Sequence, residues 1–405
     1  MKQFEVPIGY RSSLISAIKQ KRKEEDPLKK DTQPTLLDLG NLKIYLARHF
    51  GFCYGVENAI EIAYKTIEEN KGKRIYLLSE MIHNPQVNQD LLQKGVQFLQ
   101  DTQGNELIPL SQLTKEDIVI IPAFGTTIEM ENKMNSMGIN VQQYNTTCPF
   151  VEKVWNRGDQ IAKKGYSIII HGKPMHEETR ATFSHAAVNA PSVIVNDMED
   201  TQVLIKIMTG LLPYTDFEKY FGDKCSKGFD PKKDLIKIGV INQTTQLATD
   251  TQAISDELKN TMIAQYGIAQ LQEHFADTRD TLCYATNDNQ SAVNGLLEIS
   301  GDLAIVMGGK NSSNSSHLVE LCENKLPTYF IDSADNLMSA NSIKQTNWRN
   351  KQVSIVSNYL PLNKPTTILM TSGASCPDTV VEATIQKLAS YYHAESALEK
   401  IILAQ

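Results

Sequence analysis

Six cysteines stand at positions 53, 148, 225, 283, 322 and 376, and no two of them form a C-x-x-C pair. In a reducing compartment such scattered thiols do not point to disulfides, and a structural zinc site usually shows at least one close pair. A metal shared among them therefore requires a fold that gathers distant segments. Cys53, Cys148 and Cys283 each open an amphipathic helical stretch. Three thiolates suit iron–sulfur ligation. A cubane cluster on three protein ligands leaves one iron open, a Lewis acid site where a substrate oxygen could bind. The plain alternative is that cysteines are small buried hydrophobes. That reading is adopted for Cys225 in DKCSKG and Cys322 in HLVELCENK, and Cys376 beside Ser375 stays ambiguous.

Polar loops supply the remaining chemistry. His176 and Glu178 lie two apart after an apolar run, so an imidazole and a carboxyl can share one cavity. The segment is not a zincin helix, because Arg180 stands where its second histidine belongs. Near a cluster, Glu178 could deliver protons, since burial lifts a carboxyl toward the working pH. His83 and His171, read alone, are structural residues. The tract Asn311–Ser316 reads either as a flexible linker or as an anion site made of hydroxyl, amide and backbone N–H groups at a helix start. It is not a P-loop: Ala304 replaces the first glycine, and Asn311 replaces the Ser/Thr after Lys310. Thr244 and Thr245 in NQTT and Ser375 in TSGASCPD sit in comparable loops. Such a Ser/Thr/His shell would hold a diphosphate by neutral hydrogen bonds.

These residues need elements to carry them, and one unit is written three times. Each cysteine opens a helix, a strand follows (RIYLLS, YSIIIHG, LAIVMGG), and a polar loop begins 30, 28 and 28 residues after the cysteine, at His83, His176 and Asn311. A second apolar run then closes each unit: IVIIPAFGTT, IKIGVINQTT and TTILMTSGAS. Nearly continuous β-branched runs alternating with helices predict α/β units with parallel sheets, whose ligands lie beyond the carboxyl ends of the strands. The expected fold is three similar α/β domains in a pseudo-threefold trefoil around a central cluster. The alternative is three unrelated βα domains with incidental cysteines. The divisions are a polar N-terminal extension over 1–40, domains over 41–147, 148–282 and 283–377, and a C-terminal helix or tail over 378–405. A chain of 405 residues suits several domains, and its net charge of −7 argues against nucleic acid or an anionic membrane as partner. With no apolar run long enough to span a bilayer and no secretory h-region, the cytoplasm is the expected compartment.

Eight segments together resemble the 4-hydroxy-3-methylbut-2-enyl diphosphate reductase family: GFCYGVENAI, IHNPQVN, NTTCPFVEKV, HEET, INQTT, LCYATNDNQ, GGKNSSNS and TSGASCPD. They run in family order from about Leu42 to Asp378. The resemblance implies a trefoil around a 4Fe–4S cluster with Cys53, Cys148 and Cys283 as ligands and one iron open. It assigns proton delivery to Glu178, with Thr244 beside it in the substrate-binding hydroxyl network. His83, His176, Ser312, Ser313, Asn314 and Ser375 would hold the diphosphate of the allylic substrate. The implied reaction is reductive dehydroxylation to isopentenyl and dimethylallyl diphosphate, the last step of the non-mevalonate isoprenoid route, with ferredoxin or flavodoxin as electron donor. Phe124 stands where many bacterial members carry a histidine, and PAFG with HGKPMHEET resembles the plant and cyanobacterial branch. Two other readings keep the cluster: a hydro-lyase, and a non-catalytic sensor or electron carrier, which would have no use for Glu178.

Overall fold

A computed structural model describes residues 4–28, 30–276 and 281–403. Its strands, in chain order, begin with β1 (Thr35–Asp38), β2 (Leu42–Leu46), β3 (Ile75–Leu77), β4 (Gln97–Phe98), β5 (Ile118–Ile120), β6 (Ser167–His171) and β7 (Ser192–Val195). The second half adds β8 (Ile238–Asn242), β9 (Leu303–Met307), β10 (Thr328–Ile331), β11 (Leu337–Ser339), β12 (Ser342–Thr346), β13 (Val353–Ser357) and β14 (Thr366–Ser372). Two compact units result. The first comprises Met1–Glu61, Ile82–Asp90 and Tyr284–Gln405, and the second Ile62–Met81 and Leu91–Cys283.

In the first unit a five-stranded sheet runs in the order β1-β2-β14-β9-β10. It is parallel except for β1, which lies antiparallel on β2. Successive strand residues face opposite ways. Leu303, Ile305 and Met307 of β9 and Ile368 and Met370 of β14 therefore enter one core, while Ala304, Val306 and Leu369 enter another. Helix Asp378–Tyr391 covers the first face with Val381, Ile385 and Leu388; helices Tyr284–Leu296 and Ser313–Glu323 cover the second. Part of the polar N-terminal segment belongs here too. Ser12 caps helix Ser13–Glu25 by accepting from the Ile15 N–H at 2.9 Å, worth about 1 kcal/mol, and Leu14, Ile15 and Ile18 join the core. The strands β11, β12 and β13 make a small antiparallel sheet.

The second unit holds two parallel sheets, β4-β3-β5 and β7-β6-β8. Every residue of β6 and β8 is buried, as the continuous apolar runs require. Ile169 faces Leu204, Ile254 and Leu258 on one side; Ile168 and Ile170 face Val154 and Ile161 of the helix that Cys148 opens. The α/β class expected from the sequence holds, and each repeat has its sheet of parallel strands. One pairing differs from the order of the repeats: β2 joins β14, with Ile44 opposite Ile368, and not β3. Among the described residues no helix is long and apolar enough to cross a membrane.

Candidate active site

The second unit gathers five of the residues singled out by sequence. Cys148 is the N-cap of helix Pro149–Ala162, where Pro149 at the first helical position fixes the start. Its N–H donates to the Ala123 carbonyl beyond β5 at 2.9 Å. Cys283 immediately precedes helix Tyr284–Leu296, and its N–H donates to the Thr244 carbonyl at 3.1 Å. Thr244 returns the link: its own N–H donates to Glu178 Oε1 at 2.5 Å. One residue beyond β8 thus ties a cysteine to a carboxylate. Glu178 lies in the first turn of helix Glu177–Asn189, where the helix dipole and backbone N–H groups favour a negative charge, and it is 2% exposed. His176 caps that helix, its Nδ1 accepting from the Glu178 N–H at 3.2 Å. That bond assigns the proton of the neutral ring to Nε2.

Electrostatics tie this group together. The Cys148 thiol is pushed up to about 12, chiefly by burial, with Cys283 and Glu178 adding to the rise and the N–H groups of Phe150 and Val151 opposing it. Two thiols and a carboxyl close enough to repel one another's charge make a site that favours a cation.

A residue that sequence reading missed organises the same loops. Gln243 is fully buried, and its Oε1 accepts from Thr179 Oγ1 at 3.0 Å, Gln246 Nε2 at 2.9 Å and the Lys173 N–H at 3.3 Å. Its Nε2 donates to Thr245 Oγ1 at 2.7 Å. The side chain thereby joins the loop after β6, the first turn of the Glu178 helix and the loop after β8. Asn242 does similar work for Cys283: its Oδ1 accepts from the Thr281 N–H at 3.0 Å and the Thr281 hydroxyl at 2.7 Å. The available signal was an amide beside each threonine of INQTT. Phe124 presents its ring edge-on to His176, with centroids 5.8 Å apart, so an apolar wall stands there.

The first unit gathers the other six. The Cys53 N–H donates to the Ala374 carbonyl at 3.1 Å, and the Ala374 N–H donates to Asn314 Oδ1 at 3.0 Å. Ser375 Oγ donates to the His83 carbonyl at 3.2 Å. The loop after β14 therefore connects Cys53, His83 and Asn314. Ser312 caps helix Ser313–Glu323, accepting from the Ser315 N–H at 3.2 Å. Ser312, Ser313 and Asn314 are all buried at this helix start. Asn314 Oδ1 also accepts from Asn289 Nδ2 at 3.3 Å, whereas Asn314 Nδ2 is buried without a protein acceptor among the described residues. A buried amide donor of this kind costs free energy until an acceptor arrives, and a phosphate oxygen is one. The tract is a helix N-terminus and not a linker. Gly309 permits it: a Cβ there would run into the His83 carbonyl.

Of the remaining cysteines, the sequence reads Cys322 and Cys225 as structural and leaves Cys376 ambiguous. Cys322 is buried in the core of the first unit, and Cys225 packs on that of the second. Cys376 is fully buried, and burial pushes its thiol up to about 12. His171 is buried with Nδ1 3.2 Å from Thr251 Oγ1.

The donor set fits an iron–sulfur centre. Cys53, Cys148 and Cys283 form no disulfide and are half-buried, as Cys225 also is, whereas Cys322 and Cys376 are buried. Among the described residues no three His, Cys, Asp or Glu side chains stand close enough to hold one metal ion. A cubane cluster takes each thiolate on a different iron, so its ligands need not share one ion.

Fold and loops together define an α/β protein whose strand ends carry thiols, a buried carboxyl and neutral donors for an anion. The model of the family described as LytB protein matches residues 44–389, and the chain belongs to that family. Among curated relatives, a 4-hydroxy-3-methylbut-2-enyl diphosphate reductase of Synechococcus sp. (strain WH7803) is 38% identical, over 94% of this chain and 90% of its own length. Its namesake from Synechocystis sp. (strain ATCC 27184 / PCC 6803 / Kazusa) is 37% identical, over 96% and 97%. Two solved structures share the fold. One, of (E)-4-hydroxy-3-methyl-but-2-enyl diphosphate reductase, gives a TM-score of 0.51 at 24% identity, covering 86% of this chain and 99% of its own. The other, of the E-1-hydroxy-2-methyl-but-2-enyl-4-diphosphate reductase from Plasmodium falciparum, gives 0.62 at 23%, covering 86% and 89%.

Proposed function

We propose that this enzyme reductively removes the hydroxyl of 4-hydroxy-3-methylbut-2-enyl diphosphate, yielding isopentenyl and dimethylallyl diphosphate at the end of the non-mevalonate route. Two electrons and two protons enter, the allylic C–O bond breaks, and the oxygen leaves as water. The observation that carries the reading is the link Cys283–Thr244–Glu178, which sets a buried carboxyl beside two thiols in a LytB chain.

The three repeats, over 41–147, 148–282 and 283–377, each supply one thiolate: Cys53, Cys148 and Cys283 hold a 4Fe–4S cluster with one iron open. When bound, the cluster supplies electrons one at a time and a Lewis acid for the departing oxygen. Cys148 would hold the cluster as a thiolate, the form that burial alone disfavours. Glu178 holds the proton that the leaving oxygen takes, and the Thr244 N–H fixes the orientation of its carboxyl. The diphosphate lies against Ser312, Ser313, Asn314, Ser375, His83 and His176, held by neutral hydrogen bonds and a helix N-terminus. Electrons come from ferredoxin or flavodoxin in the cytoplasm.

The test is anaerobic purification, followed by iron analysis and reductant-driven consumption of the substrate. About four irons per chain and turnover are expected. Cys148→Ser should lose most of the iron, whereas Cys225→Ser should keep it all. Equal iron in both variants would remove the ligand assignment, and iron without turnover would favour a hydro-lyase.

A further inference from the structure

The proposed reduction draws two electrons from outside the chain, so a carrier must approach the thiolates. A groove on the second unit is lined by Phe150, Lys153, Val154 and Arg157 of helix Pro149–Ala162 and by Thr281 and Leu282. Phe150 stands two residues after Cys148, with Pro149 between them, and Leu282 directly precedes Cys283. Both side chains are half-buried, and Lys153 is exposed. The groove is therefore walled by residues one and two positions along the chain from two of the proposed cluster ligands.

Its charge is the second observation. Lys153 and Arg157 stand four residues apart on one face of this helix, with the neutral Asn156 and Gln160 beside them in the groove. The carboxylates of this helix, Glu152 and Asp159, sit a quarter-turn or more away, and Asp159 accepts from Asn189 Nδ2 at 2.8 Å. Such a basic pair stands out on a chain whose net charge is −7. Cations beside a small apolar patch steer a negatively charged partner and fix its orientation, raising its association rate.

Resting on the reductase reading, we propose that this groove is the docking surface for an acidic one-electron carrier protein, which seats a carboxylate-rich edge on Lys153 and Arg157 and an apolar contact on Phe150 and Leu282. Two successive docking events deliver the two electrons, and each carrier leaves oxidised by one electron.

The experiment compares the holoenzyme with the double variant Lys153→Glu/Arg157→Glu, using a purified acidic 2Fe–2S ferredoxin as probe. Binding is measured by calorimetry at low and high salt. Turnover is measured with the reduced ferredoxin and, separately, with reduced methyl viologen. The expected result is ferredoxin binding weakened at least tenfold and ferredoxin-driven turnover falling in step, with viologen-driven turnover and iron content unchanged. Unchanged binding overturns the proposal, as does an equal loss with both reductants. A change in oligomeric state on charge reversal also overturns it, by making the groove a contact between copies of this chain. A wild-type enzyme that binds ferredoxin yet consumes no substrate with the viologen refutes the reductase reading, and the docking proposal falls with it.

Discussion

Replacing Glu178 with glutamine isolates the proton from the scaffold. Glu178 Oε1 receives the Thr244 N–H at 2.5 Å, and the Thr244 carbonyl in turn receives the N–H of Cys283. An alanine would strand a buried N–H at a cost of about 1–3 kcal/mol and release the residue beside Cys283. Glutamine keeps the acceptor oxygen in place. What it loses is the transferable proton. A positioned general acid contributes about 10²–10⁴ in rate, or about 3–5 kcal/mol of barrier. Glu178→Gln should therefore lower kcat by that factor, with KM changed far less because the loops proposed to hold the diphosphate are untouched. Single-turnover kinetics with reduced methyl viologen, beside iron content and a thermal melt, separate the terms. A variant with full iron, a melt near wild type and a kcat within about threefold of wild type would refute the reasoning, since the carboxyl would then carry no proton that matters.

Asn314→Asp keeps the oxygen that receives the Ala374 N–H and replaces the unpartnered Nδ2 donor with a second acceptor. Losing one donor to a charged group predicts a KM, and an inhibition constant for inorganic pyrophosphate, higher by about 10–100-fold; unchanged values would clear Asn314 of the anion site. Gln243→Leu deprives three donors of their common acceptor, so thermal melting should reveal a loss of about 2–4 kcal/mol and a lower kcat. A wild-type melting curve would dissolve that hub. The fourth prediction concerns pH. His185 stacks on Trp155 at 3.7 Å, and burial holds its imidazole below the ordinary 6.5. The unfolded chain then binds the proton more readily, so stability from this group is full above about pH 6.5 and falls as the pH drops toward the depressed folded value. His185→Phe retains the stack and should flatten that acid limb in thermal melts. Parallel limbs for the two proteins would contradict the assignment.

What the sequence revealed was decided by how local each signal is. The cysteine-to-helix junctions at Cys53, Cys148 and Cys283 were legible because each cysteine, a helix start and the next apolar strand follow one another within about twenty residues. The helix reading of Asn311–Ser316 rested on the same logic. Three features lay outside that range. The neighbour of a parallel strand is fixed by a distant crossover, so nothing near Leu42–Leu46 announces β14 as its partner. Gln243 shows its role only when Lys173, Thr179 and Gln246 surround it. The helix Ser13–Glu25 hides three core residues in a segment whose lysines and glutamates dominate any average.

The place of β14 also has a consequence for the life of the chain. The strand occupies the centre of the five-stranded sheet, yet it is the last strand to be synthesised. Until Thr366–Ser372 emerges from the ribosome, β2 and β9 have an empty slot between them, and their apolar faces wait exposed for more than three hundred residues in the case of β2. Pairings of such long separation are slow and open to aggregation. The second unit, contained within Ile62–Cys283, can condense while translation continues. Birth order thus leaves the first unit the half more open to misfolding during synthesis, and the loop carrying Ser375 the last of the proposed substrate-binding segments to appear.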